Sequence, residues 1–218
     1  PGHAYFGHSN YIEYLAGGLP VVISVPHGGT LAPEGLPNRA GGEFTSDAFT
    51  EELGRTVHEV VHEKLGSYPH VILCRLERAK VDCNRGFVEG AGSHPVAQQA
   101  WRDFHCFIEA ARSNALSVSG HGLYLDLHGQ SHPIKRIEAG YCLDENQLAN
   151  TDAQLNTPVF LTKSSIRGLC ERNRLSLAEL IRGSNSFGGL LAARGYAAVP
   201  SPAMPYPRTG ELYFDGGY

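Results

Sequence analysis

No run of apolar residues in this chain approaches the roughly 18 that a membrane-crossing helix requires, so no membrane span is expected. Positive charge is not in excess either. Lys and Arg total 18 against 22 Asp and Glu, a formal net charge of -4 at pH 7 with His neutral. That balance provides no footprint for a nucleic-acid backbone and no polybasic patch for an anionic membrane. Cysteine occurs, but never as a C-x-x-C pair. The five (Cys74, Cys83, Cys106, Cys142 and Cys170) are widely spaced and odd in number. The spacing argues against a structural zinc site or a thioredoxin-type motif and fits free thiols in a reducing compartment. Internal repeats, low-complexity segments and long linkers are also missing, and no signal peptide is recognisable. Compartment and oligomeric state stay open at this stage.

What is present describes one globular domain over residues 1–218. The chain is 42% hydrophobic and 18% charged, ordinary for a packed core. Residues 19–25 form a short β-branched run closed by Pro26, which predicts a buried strand. After a Gly/Pro-rich loop, Ser46 or Asp47 is placed to cap a helix reaching about Leu65, with Phe49, Leu53, Val57, Val60 and Val61 on one face. Further strands are expected at 70–76, 122–127, 137–143 and 196–199. Helices are expected at 95–116, 164–169, 176–182 and 187–194. Alternation of this kind predicts an α/β sandwich with a mixed, largely parallel sheet. Ligands in such sheets gather beyond the carboxyl ends of the strands.

Two strands end alike. One runs into Pro26-His27-Gly28-Gly29 and the other into Asp126-Leu127-His128-Gly129. A single strand-end His among eleven is most simply a hydrogen-bonding cap. Two of them, each delivered into a glycine turn, would meet at one sheet edge if the strands are parallel neighbours. Two imidazoles and a carboxylate make a zinc site with one position left for water. Asp126, two residues before His128, is placed to orient an imidazole. The third ligand is left among Glu34, Asp47 and Glu51, with Asp47 favoured because it lies where the long loop enters a helix. Residues 75–86 carry a dense set of charges, ending in Asn84 and Arg85. An Arg fork suits a substrate carboxylate, although a solvated charge run with internal pairs is the simpler reading.

These pieces together resemble the N-formylglutamate amidohydrolase family. They are Pro26-His27-Gly28-Gly29, Ser46-Asp47, Arg78 with Asp82-Cys83-Asn84-Arg85, Asp126-Leu127-His128-Gly129 and Phe214-Asp215-Gly216-Gly217-Tyr218. The D-x-N-R and D-L-H pieces are also similar to the wider aspartoacylase and zinc carboxypeptidase superfamily. The resemblance implies a phosphorylase/hydrolase-like three-layer sandwich and one Zn2+ held by His27, Asp47 and His128. It implies substrate contacts from Arg78, Asn84, Arg85, His132 and Arg136. It further implies a metal-activated water that cleaves a formyl or acyl amide of an N-acyl amino acid, with Arg85 stabilising the oxyanion. The superfamily's H-x-x-E ligand spacing is absent, since position 30 is Thr. Its catalytic Glu normally follows the Gly-Gly-Tyr segment, so the chain is expected to lack a C-terminal segment, and Glu211 is the substitute base. Two related readings share the metal site: a degenerate member binding a small carboxylate, and a zinc carboxypeptidase acting on peptides or cell-wall fragments. A serine or cysteine hydrolase is disfavoured because no G-x-S-x-G elbow exists.

Overall fold

The structure, a computed structural model, describes residues 1–216 and divides into two compact units, Pro1–Gln130 and Ser131–Tyr218. Gly217 and Tyr218, the end of the last motif above, lie outside the described residues.

The first unit contains strands β1 (Ala4–Phe6), β2 (Ile12–Leu15), β3 (Val21–Val25), β4 (His70–Cys74) and β5 (Leu123–Asp126). Its helices are α1 (Thr50–Leu65), α2 (Phe87–Ala91) and α3 (Pro95–Ser119). The strands form one sheet in the order β1-β2-β4-β3-β5. Strands β3, β4 and β5 are mutually parallel, and β2 runs antiparallel to β1 and β4. The sequences Val-Val-Ile-Ser-Val and His-Val-Ile-Leu-Cys occupy the centre because a strand covered on both faces must be apolar on both. All five residues of β4 are buried. On one face Ile23, Val25, Val71 and Leu73 pack with Val57 of α1. On the other, Val22, Ile72 and Cys74 pack with Phe104, Ile108 and Ala111 of α3. The result is a three-layer α/β sandwich with a mixed, largely parallel sheet, as the alternation of patterns predicted.

Two local expectations are corrected. Helix α1 starts at Thr50, not at Ser46 or Asp47, behind a left-handed Phe49 with φ 64°. The Asp47 side chain is engaged elsewhere, and its backbone carbonyl accepts from the Thr50 hydroxyl at 2.9 Å. The expected face is only partly the one turned to the sheet: Val57 packs there. Phe49 and Leu53 are exposed, whereas Gly54 is buried and lies close enough to the sheet that a Cβ there would come within 2.9 Å of Val25 Cγ2. The N-terminal β1–β2 hairpin was not anticipated. Its inner strand buries Glu13, which pairs with Arg55 at 2.6 Å, and that charge breaks the apolar pattern.

The second unit holds two short parallel strands, β6 (Ile137–Glu138) and β7 (Ala198–Val199). Between them run α4 (Glu145–Leu148), α5 (Asp152–Leu155), α6 (Pro158–Lys163), α7 (Arg167–Asn173), α8 (Leu177–Arg182) and α9 (Phe187–Ala192). Leu143, Leu148, Leu155, Leu177 and Ile181 form its core. The expected strand at 137–143 stops after Glu138, and Cys142 has a left-handed φ of 59°. Helices α4 and α5 are each opened by a reciprocal capping box, Asp144 with Gln147 and Thr151 with Gln154. Among the described residues, no helix is long and apolar enough to cross a membrane.

Candidate metal centre

Parallel pairing of β3 with β5 sets Ser24 opposite Asp126 and brings the two glycine turns to one end of the sheet. His27 and His128 follow those strands. Their ring centroids are 4.9 Å apart and the rings are tilted by 52°. Asp47 is drawn in from the intervening loop, whose backbone is tied down where the Asp47 N–H donates to the His27 carbonyl at 2.9 Å. One ligand atom from each of His27, Asp47 and His128 lies within 4.8 Å of the others, so the group could hold a metal ion. Of the three carboxylates considered for this place, Asp47 is the one in the group. Glu34 is exposed, and Glu51 pairs with Arg55 at 2.8 Å.

The two imidazoles are fixed in the same sense. His27 Nε2 lies 2.7 Å from Asp82 Oδ1, and His128 Nε2 lies 2.7 Å from Asp126 Oδ2. An ionised carboxylate only accepts, so each Nε2 carries the hydrogen. Each Nδ1 is thereby turned towards Asp47 Oδ2, at 3.5 Å from His27 and 3.2 Å from His128. His27 is 1% exposed, and its Nδ1 has no hydrogen-bond partner. A buried nitrogen left in this way costs free energy unless something binds it. A metal ion is such a partner, and two imidazole nitrogens with one carboxylate oxygen are a donor set that suits it.

Electrostatics tighten the group. Burial alone would raise the Asp47 carboxyl. The hydrogen bond from His128, the nearby His27 ring and the Gly129 N–H outweigh it and hold the group well below the usual carboxylate range. Burial likewise opposes ionisation of Asp82, but His27 and Arg78 prevail and keep it strongly acidic. Loss of water around His128 disfavours its charge, yet Asp126 and Asp47 push it up to about 9. Arg78 donates to Asp82 Oδ2 at 2.9 Å and lies 3.8 Å from Asp47 Oδ1. Buried Arg39 lies 3.7 Å from the same Asp82 oxygen. Gly28 and Gly29 let the turn after His27 pass close to its neighbours. A Cβ on Gly28 would sit 2.5 Å from the Glu51 nitrogen, and one on Gly29 would collide with the Arg75 backbone.

The remaining sequence candidates fall into two places. Asn84 is beside the group: its backbone N–H donates to Asp82 Oδ1 at 3.0 Å, and its side-chain nitrogen lies 3.2 Å from His128 Nε2. Arg85 follows, half-exposed, donating to the Asn84 carbonyl at 2.9 Å and lying 3.3 Å from Glu89. His132, Arg136 and Glu211 belong to the second unit. There Arg136 donates to Glu211 at 2.5 Å and to the Leu212 carbonyl at 3.1 Å, and Glu138 lies 3.4 Å from its Nε. His132 lies 3.2 Å from Glu138 and stacks on Phe214. The hydrogen bond from Arg136, with another from the Arg208 N–H, lowers the Glu211 carboxyl from its ordinary value.

Asp82 appeared in sequence only as part of a motif, and Ser24 and Tyr124 were not marked as members of this group. The Asp82 signal was present in D-x-N-R. The other two act through side-chain contacts that depend on strand register. On the α3 face, beside β5, an open cleft of about 410 Å³ is lined by Tyr124, Asp126, Asn84, His105 and Arg112, among others.

No family model and no curated protein matches the chain. Among solved structures, an N-formylglutamate amidohydrolase from Ralstonia eutropha JMP134 aligns with 87% of this chain and 76% of its own, at 17% sequence identity and a TM-score of 0.44.

Proposed function

We propose that the chain is a zinc-dependent amidohydrolase that cleaves the formyl or acyl amide of an N-acylated, amino-acid-like small molecule. The observation that carries this reading is the convergence of His27 Nδ1 and His128 Nδ1 on Asp47, with each ring backed at Nε2 by a carboxylate. That donor set belongs to catalytic zinc sites, which keep a position open for water or substrate. Zinc, when bound, supplies Lewis acidity that polarises an amide carbonyl and acidifies water. The chain's own residues supply the rest. Asp82 and Asp126 orient the rings and raise their basicity as ligands. Arg78, engaged by Asp82, keeps that carboxylate ionised and is assigned to the scaffold of the site more than to the substrate. Asn84 and Arg85, on the loop beside His128, are assigned to the substrate carboxylate, with Arg85 also offsetting charge that develops on the carbonyl oxygen. Glu211 is a poor general base in this arrangement, because Arg136 holds it below the ordinary carboxylate value and a base works best with a pKa nearer the operating pH.

A second reading is a member that binds a small carboxylate without turnover. It is favoured by the fact that Asp82 and Asp126 are both already engaged by imidazoles. One experiment separates the two. The purified chain is analysed for metal and assayed on N-formyl and N-acetyl amino acids, with His128→Ala alongside. About one zinc per chain is expected, lost in His128→Ala, with chelator-sensitive release of formate or acetate. Zinc without turnover selects the binding reading, and undiminished zinc in His128→Ala overturns both.

A further inference from the structure

We propose that Ser24 and Tyr124 are positioning residues for the metal, acting through Asp126 to hold His128 with its Nδ1 facing Asp47. The inference rests on the metal reading above and extends it to residues two and three contacts away from the ligand. Ser24 is the fourth of the five residues of β3 and is fully buried. A hydroxyl there is unexpected in a run of Val and Ile, since burying it is costly unless it is hydrogen-bonded. Its partners come from β5. The register pairs Val22 with Tyr124 and Ser24 with Asp126, so Tyr124, Ser24 and Asp126 share the α3 face of the sheet.

The hydrogen bonds run in one direction. Ser24 Oγ donates to Asp126 Oδ1 in a short contact. Tyr124 lies with its hydroxyl 2.6 Å from Ser24 Oγ, and because the Ser24 hydrogen is committed to the carboxylate, Tyr124 is the donor. Asp126 Oδ2 then accepts from His128 Nε2 at 2.7 Å. One carboxylate thus receives a hydroxyl on one oxygen and an imidazole on the other, and it cannot rotate without breaking both. The two rings of the group are secured differently. Asp82, behind His27, is held by the Arg78 guanidinium, whereas Asp126, behind His128, is held by the Ser24 hydroxyl, itself backed by Tyr124. His128 is also the more exposed ring, with side-chain exposure of 32% against 1% for His27. Packing fixes His27, so the ring that needs a hydrogen-bonded support is His128.

The test uses the full chain, Ser24→Ala, Tyr124→Phe and the double variant. Zn2+ affinity is measured by competition with a chromophoric chelator, and the visible spectrum of the Co2+-loaded protein reports ligand geometry. Melting of the metal-free proteins is followed in parallel. Partners that orient a metal-bound His typically contribute about 10- to 100-fold in affinity. Ser24→Ala is expected near the lower end, about tenfold weaker, with a shifted Co2+ band. Tyr124→Phe, which keeps the ring and its packing, is expected to show a smaller loss in the same direction. Because Tyr124 acts through Ser24, the double variant should bind no more weakly than Ser24→Ala alone. Wild-type affinity and an unchanged Co2+ band in Tyr124→Phe and Ser24→Ala, with only melting altered, would reduce these residues to core packing and overturn the proposal. Losses that multiply in the double variant would also overturn it. Failure of the unaltered chain to bind either metal would instead remove the metal reading itself, and this proposal with it.

Discussion

A histidine that gives Nε2 to a carboxylate has only Nδ1 left to offer, and in the metal-free protein His128 Nδ1 carries a proton at neutral pH. Asp126 and Asp47 push that imidazole up to about 9, from an ordinary value near 6.5. The raised value means that the protonated ring stabilises the metal-free fold. The contribution is fully present below about pH 6.5, where the unfolded chain is protonated too, and is lost as pH rises through about 9. A metal ion takes the place of the same proton. Apparent Zn2+ affinity is therefore expected to climb about tenfold per pH unit between pH 7 and about 9, then level off. Competition titrations across pH 7 to 10 check this, and a flat profile below pH 9 would mean that Nδ1 is not the atom displaced. At this scale the strand-end pair His27 and His128 was legible in the sequence because each closes an apolar run at a glycine turn. Asp47 was legible as a carboxylate but was also expected to serve as a helix cap. Asp82, Ser24 and Tyr124 were hidden as partners because their contacts, at sequence separations of 55 to 102 residues, depend on which strands become neighbours.

Turns and helix faces decide whether those atoms meet. The segment after His27 runs so close to the residues following β4 that Gly29 has no room for a Cβ against the Arg75 backbone. Leu31 is hydrogen-bonded to the same segment, its N–H donating to the Arg75 carbonyl at 2.9 Å, so the loop cannot simply swing away. Gly29→Ala is expected to cost about 1–3 kcal/mol, the usual range for overpacking, and to weaken metal binding by moving His27. Gly35→Ala is the matched control, because a Cβ there meets nothing within 4 Å and should leave both quantities nearly unchanged. Denaturant titrations of the metal-free variants measure the first effect and chelator competition the second. Equal behaviour of the two variants would show that the loop is free to shift. The strands β3 and β4 and the helix α3 were readable because each buries a run or stripe of apolar residues, whereas β5 was readable from its apolar sequence alone, all four of its residues being exposed. The face of α1 was legible at Val57 but not at its start, for a physical reason: the helix approaches the sheet through Gly54, a residue with no hydrophobic signal, while Phe49 and Leu53 remain exposed. The β1–β2 hairpin was missed because buried Glu13 is neutralised by Arg55, a partner that no local window contains.

For the whole molecule, the consequence lies in where the three candidate ligands come from. His27, Asp47 and His128 all belong to the first unit, yet they are drawn from the turn after β3, the long loop before α1 and the turn after β5. None of them meets another in a locally unfolded chain, so an ion binding all three binds the native unit in preference to the unfolded one. Linkage then requires that metal raise stability by an amount set only by affinity and concentration, about 2.7 kcal/mol when free metal is 100 times its dissociation constant. Thermal melts at increasing Zn2+ should show an upward shift that continues beyond saturation of the site, and Asp47→Asn, which keeps the shape and removes the ligand charge, should abolish it. Identity of the metal follows from the same scan. Imidazole nitrogens suit zinc, whereas Mg2+ prefers an all-oxygen octahedron and is held poorly by such a set. Mg2+ at matched concentration is therefore expected to leave the melt unmoved. A shift of equal size with Mg2+ would place the binding on exposed carboxylates instead of on the two imidazoles.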